Sequence, residues 1–466
     1  MPTAAAPSSL LDPTKVGDTR AASVALDVWR LAWPAIGHMF LLTAVFAVDR
    51  LVLGRTDTTA LASLQISTVL VWTITSIFTA FSTGTLAVAG RAYGAGDRRA
   101  AARAVGASLL LALGLGAVVS VVTLLASSLL IERVFPHAGV DVLRDVQRYL
   151  IVVVPVLPLA FVEATAAAAL QAAGDTRTPL LAAAASNLLN LTLSCVLVFG
   201  LFGAPTLGVR GAAIGAAAAI VLQAFSLVAA LLQKDASIPL RGLGFREACC
   251  DRAIIGRLVR ISIPAFADKI VYAGGYLAFV VLVAWLGPLA MAANQAVVSV
   301  EAICFLSAEG FGIAAGALAA QSLGAGAPDR AEQTSRVAAS MAVAFLSLIA
   351  ITFVLAPRSL LDVFSPDGAV VEAGASSLIL AAAAQPFMAY AIVMRMALRG
   401  AGATGSVLAV TLAGTFLVRL PVAYLASFVW GWGLTGIWLG STLDWIVQAL
   451  AFGSLFHVGR WKTSTA

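Results

Sequence analysis

Gly90-Arg91-Ala92-Tyr93-Gly94-Ala95-Gly96 and, 230 positions later, Ala320-Gln321-Ser322-Leu323-Gly324-Ala325-Gly326 are two versions of one phrase, and each closes a long apolar run. Upstream, Trp33-Pro34 and Ile263-Pro264 stand at the same offset. Downstream, Pro158 matches Pro386, and Leu170-Gln171-Ala172-Ala173-Gly174-Asp175-Thr176 matches Leu398-Arg399-Gly400-Ala401-Gly402-Ala403-Thr404, now 228 apart. Gly208, Gly211 and Gly215 then match Gly433, Gly436 and Gly440 at 225. Single glycines coincide easily in a chain that has 40 of them, but a series kept in order with a slowly shrinking offset marks a duplicated unit that has lost a few loop residues.

The duplicated unit lies in a membrane. Of 466 residues 61% are hydrophobic and 11% charged, with a mean hydropathy of +0.97, whereas soluble domains carry about 25% charged residues. A span needs about 20 apolar residues to cross about 30 Å of hydrocarbon. Such runs recur at roughly 31–54, 60–88, 102–130, 147–172, 180–202, 208–232, 257–286, 289–318, 336–356, 374–398, 404–429 and 433–457. They lack the period-two alternation of a membrane barrel, so helices are what satisfies the backbone in lipid. The sequence therefore predicts an all-α integral membrane protein with twelve transmembrane helices in two pseudo-symmetric six-helix lobes. Six spans per half send both halves into the membrane from the same side, with a cleft between lobes and alternating access about a site near the midplane. The expected organisation is a disordered cytoplasmic tail over 1–28, an N-lobe over 29–232, a cytoplasmic linker over 233–256, a C-lobe over 257–458 and a second cytoplasmic tail over 459–466.

Lys and Arg placement orients this assembly. About twenty of the 29 basic residues fall with the termini and the even-to-odd loops, and about seven on the other side, so both termini are expected in the cytoplasm of a multi-pass plasma-membrane protein. The net charge of +6 thus reports topology, and no nucleic-acid partner is implied. Residues 1–25 have no apolar core and form neither signal peptide nor span. Cys195 and Cys304 fall within spans and Cys249 with Cys250 in the linker, which is neither a disulfide framework nor a zinc site. With His38, His137 and His457 as its three histidines, no His-Glu-x-x-His helix and no Gly-x-Ser-x-Gly elbow, the chain offers no constellation for an intramembrane enzyme. The turns near Gly94 and Gly324 do not run on into the Gly-Lys-Ser or Gly-Lys-Thr of a phosphate loop, which argues against an ATP-driven pump.

The quoted residues resemble the multidrug and toxic compound extrusion (MATE) family over nearly the whole chain after about residue 28. In the first half the likeness rests on Leu31-Ala32-Trp33-Pro34, Val48-Asp49 with Gly54-Arg55, Gly94-Ala95-Gly96-Asp97 and above all Gly174-Asp175-Thr176-Arg177-Thr178-Pro179-Leu180. In the second it rests on Ala293-Asn294-Gln295, Gly310-Phe311-Gly312-Ile313-Ala314, Arg399-Gly400-Ala401-Gly402-Ala403-Thr404 and Gly433-Leu434-Thr435-Gly436-Ile437-Trp438. The resemblance implies a secondary transporter, functional as a monomer and without cofactor, that exports amphiphilic or cationic organic compounds by antiport with protons or sodium ions. It is most similar to the bacterial branch of DNA-damage-inducible transporters, where a carboxylate on the first helix carries much of the coupling; the matching residue is Asp49. That branch usually has an Asp where Ser194 stands. A sodium site loses more from such a change than protonation of one Asp, so protons are the expected coupling ion. A lipid-linked oligosaccharide flippase of the same superfamily and a major facilitator transporter are the alternatives.

An ionised Asp at a helix centre costs about 2.5–3.5 kcal/mol on insertion scales, which draws attention to Asp49 independently. Beside Arg50 and Arg55, it could equally be an interfacial ion pair. Asn187 and Asn190 share a face of span five at i and i+3, with Ser194 a turn further on; they line either a coupling-ion and substrate pocket or a helix–helix contact. Glu163, Asp268, Glu301 and Asp444 are further candidates, with Lys269, Glu309, Arg395 and Arg419 also inside or near spans. The expected pairings are Asp268 or Glu301 with Arg395 or Arg419, and Asp444 with Arg419. The counterpart of Asp49 in the second half is Phe279.

Overall fold

The computed structural model describes residues 21–53, 58–134, 139–244, 247 and 251–463, and for 21–22, 45–53, 58–61, 79, 128, 130, 132 and 134 the backbone alone. Most of the expected N-terminal tail, together with Arg55, Cys249 and Cys250, lies outside the described residues, as do the side chains of Asp49 and Arg50. Among the described residues there are helices and turns and no strand.

The first half opens with α1 (Ala21–Leu53). Next come α2 (Thr58–Phe78) and α3 (Ser82–Gly94), which a single 3-10 turn joins into one span. After α4 (Arg98–Val134), α5 (Val140–Val153) and α6 (Leu157–Ala172) meet at a 3-10 turn containing Pro155, where the missing N–H interrupts the ladder. The half ends with α7 (Arg177–Phe199) and α8 (Val209–Leu231). The second half runs through α9 (Arg252–Trp285), α10 (Pro288–Gly324), α11 (Pro328–Leu355), the short α12 (Pro357–Asp362) and α13 (Gly368–Gly400). It closes with α14 (Thr404–Val429) and α15 (Gly433–Val458). Eleven spans among the described residues are long and apolar enough to cross a membrane, and α1, with 33 residues, has the length of a twelfth. Several helices outrun their apolar stretches: α4 has 37 residues and carries Arg98, Arg99 and Arg103 beyond the expected start at 102 or just inside it.

The motif Gly174 to Leu180 is a helix junction. Gly174 has φ +86°, a conformation that a side chain disfavours, and turns the chain out of α6. Asp175 Oδ1 then accepts from the backbone N–H of Arg177 (3.1 Å) and Thr178 (2.9 Å), and its Oδ2 accepts from Thr178 Oγ1 (2.6 Å), satisfying donors that the first turn of α7 leaves open. Gly402, at φ +81°, repeats the turn between α13 and α14.

Each half lends the other the start of its first helix. Val28, Leu31 and Ala32 of α1 belong to the apolar core of the second half, and Ile254, Leu258 and Ile261 of α9 belong to a core otherwise built from α3, α4, α6, α7 and α8 with Ile238. Small residues permit the exchange. A Cβ on Gly310 of α10 would come within 2.6 Å of the Ile36 backbone nitrogen, and one on Gly84 of α3 within 2.9 Å of the Leu258 carbonyl. The described contacts between halves gather at one end. Ser262 Oγ donates to Phe81 O (3.1 Å), Arg330 pairs with Asp27 (3.7 Å), and Phe266 packs on Phe78 and Phe81 with centroids 5.3 and 5.7 Å apart. All lie on the first stretches of α1, α9 and α11 or the junction of α2 and α3.

Candidate functional site

Polar side chains inside the spans form one group in each half. In the first half, Asn187 Nδ2 donates to Leu41 O of α1 (3.0 Å) and to Ala183 O (2.9 Å). That anchors α7 to α1 about two turns before the backbone of Asp49. Asn190 and Ser194 turn elsewhere: both are fully buried, Ser194 Oγ donates to Asn190 Oδ1 (3.2 Å), and a Cβ on Gly215 of α8 would meet both side chains. The i, i+3, i+7 stripe of α7 is thus divided between two neighbours. Asn187 faces α1, while Asn190 and Ser194 pack against α8. Glu163 of α6 is half-buried and accepts from Gln223 Nε2 of α8 at 2.9 Å; among the described residues no arginine or lysine pairs with it. His38 on α1 is buried, with no described hydrogen-bond partner for either ring nitrogen.

The second half carries a denser network. Arg395 Nη2 donates to Glu309 Oε1 at 2.8 Å, joining α13 to α10. Arg399 Nη2 donates to Asp268 Oδ2, joining α13 to α9. Arg419 Nε lies 2.9 Å from Asp444 Oδ2, joining α14 to α15, and Gln448 Nε2 donates to the other Asp444 oxygen at 2.8 Å. The expected pairing of Asp444 with Arg419 is present, but Asp268 takes Arg399 in place of Arg395 or Arg419. The reason is geometric: one turn of α13 separates the two arginines, and Arg395 is drawn to Glu309 on α10. Arg399 stood in the sequence as part of a helix-end motif, at the position that Gln171 holds in the first half, and nothing there marked it as an ion-pair partner. Half-buried Glu301 lies within reach of the Gln385 amide, with the charge of Arg419 close by. Lys269, next to Asp268, has no ion pair among the described residues, although Glu309 and Asp268 are near.

Around Arg419 the backbone departs from α-helix. Gly414–Arg419 and Leu425–Val429 are π-helical, and Pro421 lies between them. Proline removes an N–H and clashes with the preceding turn, and widening the turn accommodates this. At Gly414 a Cβ would collide with Asp444 Oδ1, so the glycine lets α15 bring its carboxylate against α14. Phe279, the counterpart of Asp49, is buried edge-on against Trp438 with centroids 6.2 Å apart, so the second half has packing where the first has a carboxylate.

Two repeats of membrane-spanning helices, exchanged at the start of their first helices and holding ion pairs between buried helices, are the architecture of a multi-pass membrane transporter. The MatE family profile matches residues 34–196 and again 264–425, starts that are themselves 230 apart. This chain belongs to the MATE family of multi-pass membrane transporters and is not an enzyme. A probable multidrug resistance protein NorM from Thermotoga maritima is 27% identical over 94% of this chain and 93% of its own length. A probable multidrug resistance protein YoeA from Bacillus subtilis is 25% identical over 81% of each. The fold also matches an outward-facing multidrug resistance MATE transporter (TM-score 0.86, 18% identity, 95% of this chain and 97% of that one). It matches the bent form of the Vibrio cholerae transporter VcmN as well (TM-score 0.85, 19% identity, 95% and 99%). The family match sets aside the major facilitator alternative.

Proposed function

We propose that this transporter exports amphiphilic or cationic organic compounds from the cytoplasm by antiport with protons, as a member of the branch similar to the DNA-damage-inducible transporters. Both termini and the even-to-odd loops face the cytoplasm of the plasma membrane, because that side carries the excess of Lys and Arg. One observation carries the coupling: Asp268, Glu309 and Asp444 are each held by an arginine, whereas Glu163 accepts from the neutral Gln223 amide and Glu301, with the Gln385 amide and the charge of Arg419 near it, forms no ion pair among the described residues. A carboxylate locked to a guanidinium is a structural strut. One held by an amide can take a proton on one side of the membrane and release it on the other without leaving a buried cation unpaired. Asp49 joins Glu163 in this reading, since Asn187 ties α7 to the helix that bears it.

Sodium is the less favoured ion. Asn190 and Ser194, which would supply oxygen ligands, are spent on each other and pressed against Gly215, while a sodium site needs several oxygens free in fixed geometry. The test uses purified protein in proteoliposomes with an imposed pH gradient, ethidium as the substrate, and sodium present or absent. Substrate-triggered proton movement that needs no sodium and is lost in Glu163→Gln or Asp49→Asn supports the proposal. Unchanged proton movement in both variants and in Glu301→Gln, or a strict need for sodium, overturns it.

A further inference from the structure

The phrase repeated at Gly90 and Ala320 has a task that neither transport chemistry nor packing of one half explains. Arg91 and Gln321 occupy the same position in the two repeats, and each reaches into the opposite half. Arg91 Nη2 donates to Ala401 O at 3.0 Å, and Gln321 Nε2 donates to Ala172 O at 2.7 Å. Those acceptors are themselves near-equivalents: Ala172 ends α6 and Ala401 caps α13. The last carbonyls of a helix have no partner within it, and among the described backbone bonds neither of these two accepts from the turn that follows. Each half therefore caps a helix end of the other.

The glycines close the same figure. A Cβ on Gly94 would run into the carbonyl of Gln321, and a Cβ on Gly324 into the carbonyl of Arg91. Arg91 thus gives its side chain to Ala401 and rests its backbone on Gly324, while Gln321 gives its side chain to Ala172 and rests its backbone on Gly94. The cluster sits at the end where the other described contacts between halves gather, among the basic loops assigned to the cytoplasm. We propose that Arg91 and Gln321 are paired gate residues that hold the cytoplasmic face shut while the cleft is open on the other side, with Gly94 and Gly324 supplying the close approach. The pair lies at the membrane edge, where water can take over both donors and both carbonyls once the halves part, so the seal is reversible. The twofold relation makes it open as a unit. The assignment rests on the transporter reading for its purpose and on these contacts alone for its geometry.

The experiment measures the gap directly. Cysteines replace the exposed Ala95 and Ala325 in a background where Cys195, Cys249, Cys250 and Cys304 are changed to serine. Both are spin-labelled, and the distance distribution is recorded by double electron–electron resonance in proteoliposomes without substrate or gradient. The parent gives one short population. Arg91→Ala and Gln321→Ala each add a longer one, and the double variant makes it the majority and slows ethidium export several-fold. Where the double variant does not fold, Gly94→Ala, which displaces Gln321 without deleting a donor, gives the same longer population. A short distance retained in the double variant, or in Gly94→Ala when that substitutes for it, overturns the gate. Because no gradient is applied, a failure of proton antiport leaves the distances standing, and unchanged distances overturn the gate even if export persists.

Discussion

At the scale of single residues, the interior charges sort by whether a guanidinium holds them. Asp444, Arg419 and Gln448 are all buried, and removing one member of such a set leaves the others without a counter-charge or a solvent. Asp444→Ala is expected to destabilise the fold by about 3–5 kcal/mol, the usual cost of breaking a buried pair from one side, read as a lowered unfolding temperature in detergent. Asp444→Leu combined with Arg419→Met should recover most of that loss. Equal damage from the single and double variants would show that the pair has a role besides mutual compensation. Residue types inside spans were legible in the sequence, since Glu163, Asp268, Glu301 and Asp444 stand out against an apolar background. Partner choice was not, because Asp268 finds Arg399 across two helices whose rotation no linear spacing reveals.

At the scale of helices, sequence periodicity placed Asn187, Asn190 and Ser194 on one face, and the helix does present them so. It did not show that two neighbours divide that face between them, which depends on Leu41 of α1, 146 positions from Asn187, and on Gly215 of the helix that follows. Gly215→Ala should push against Asn190 and Ser194 and cost about 1–3 kcal/mol as overpacking does; an unfolding temperature equal to the parent's would mean that α7 and α8 part easily there. The spans were read well as apolar runs, yet their ends were not, because the helices carry charged turns beyond the hydrocarbon, as α4 does with its arginines. The last turn supplies a pH-dependent example. Lys462 Nζ lies 2.6 Å from Glu332 and 3.3 Å from Asp329, and the hydrogen bond it donates to Glu332 holds the ammonium above the ordinary lysine value. A raised value in the folded state means the contribution is fully present below the unfolded lysine value and is lost as pH rises through the folded one. Hydrogen-exchange protection at Phe456–Thr463, taken relative to the intrinsic rate at each pH, should therefore stay constant from pH 6 to about 9 and fall only above the lysine range, and in Lys462→Met it should be low throughout.

At the scale of the whole molecule, the duplication was plain from the sequence, including the parallel sense of the halves that an even number of spans requires. What it concealed is that the halves are not self-contained. A six-span repeat reads as a unit that could stand alone, but Val28 and Leu31 are buried in the other repeat's core, and Ile254, Leu258 and Ile261 return the favour. The consequence falls on biogenesis. During synthesis the first six spans leave the translocon with a vacant slot where α9 belongs, and with the start of α1 exposed until α10 and α11 arrive, so the newly inserted half is expected to be a client for membrane chaperones and quality-control proteases. Expressed alone, residues 1–244 should be degraded, and so should residues 245–466; produced together from two messages, they should protect each other and restore export, since the exchange demands only that both pieces share one bilayer.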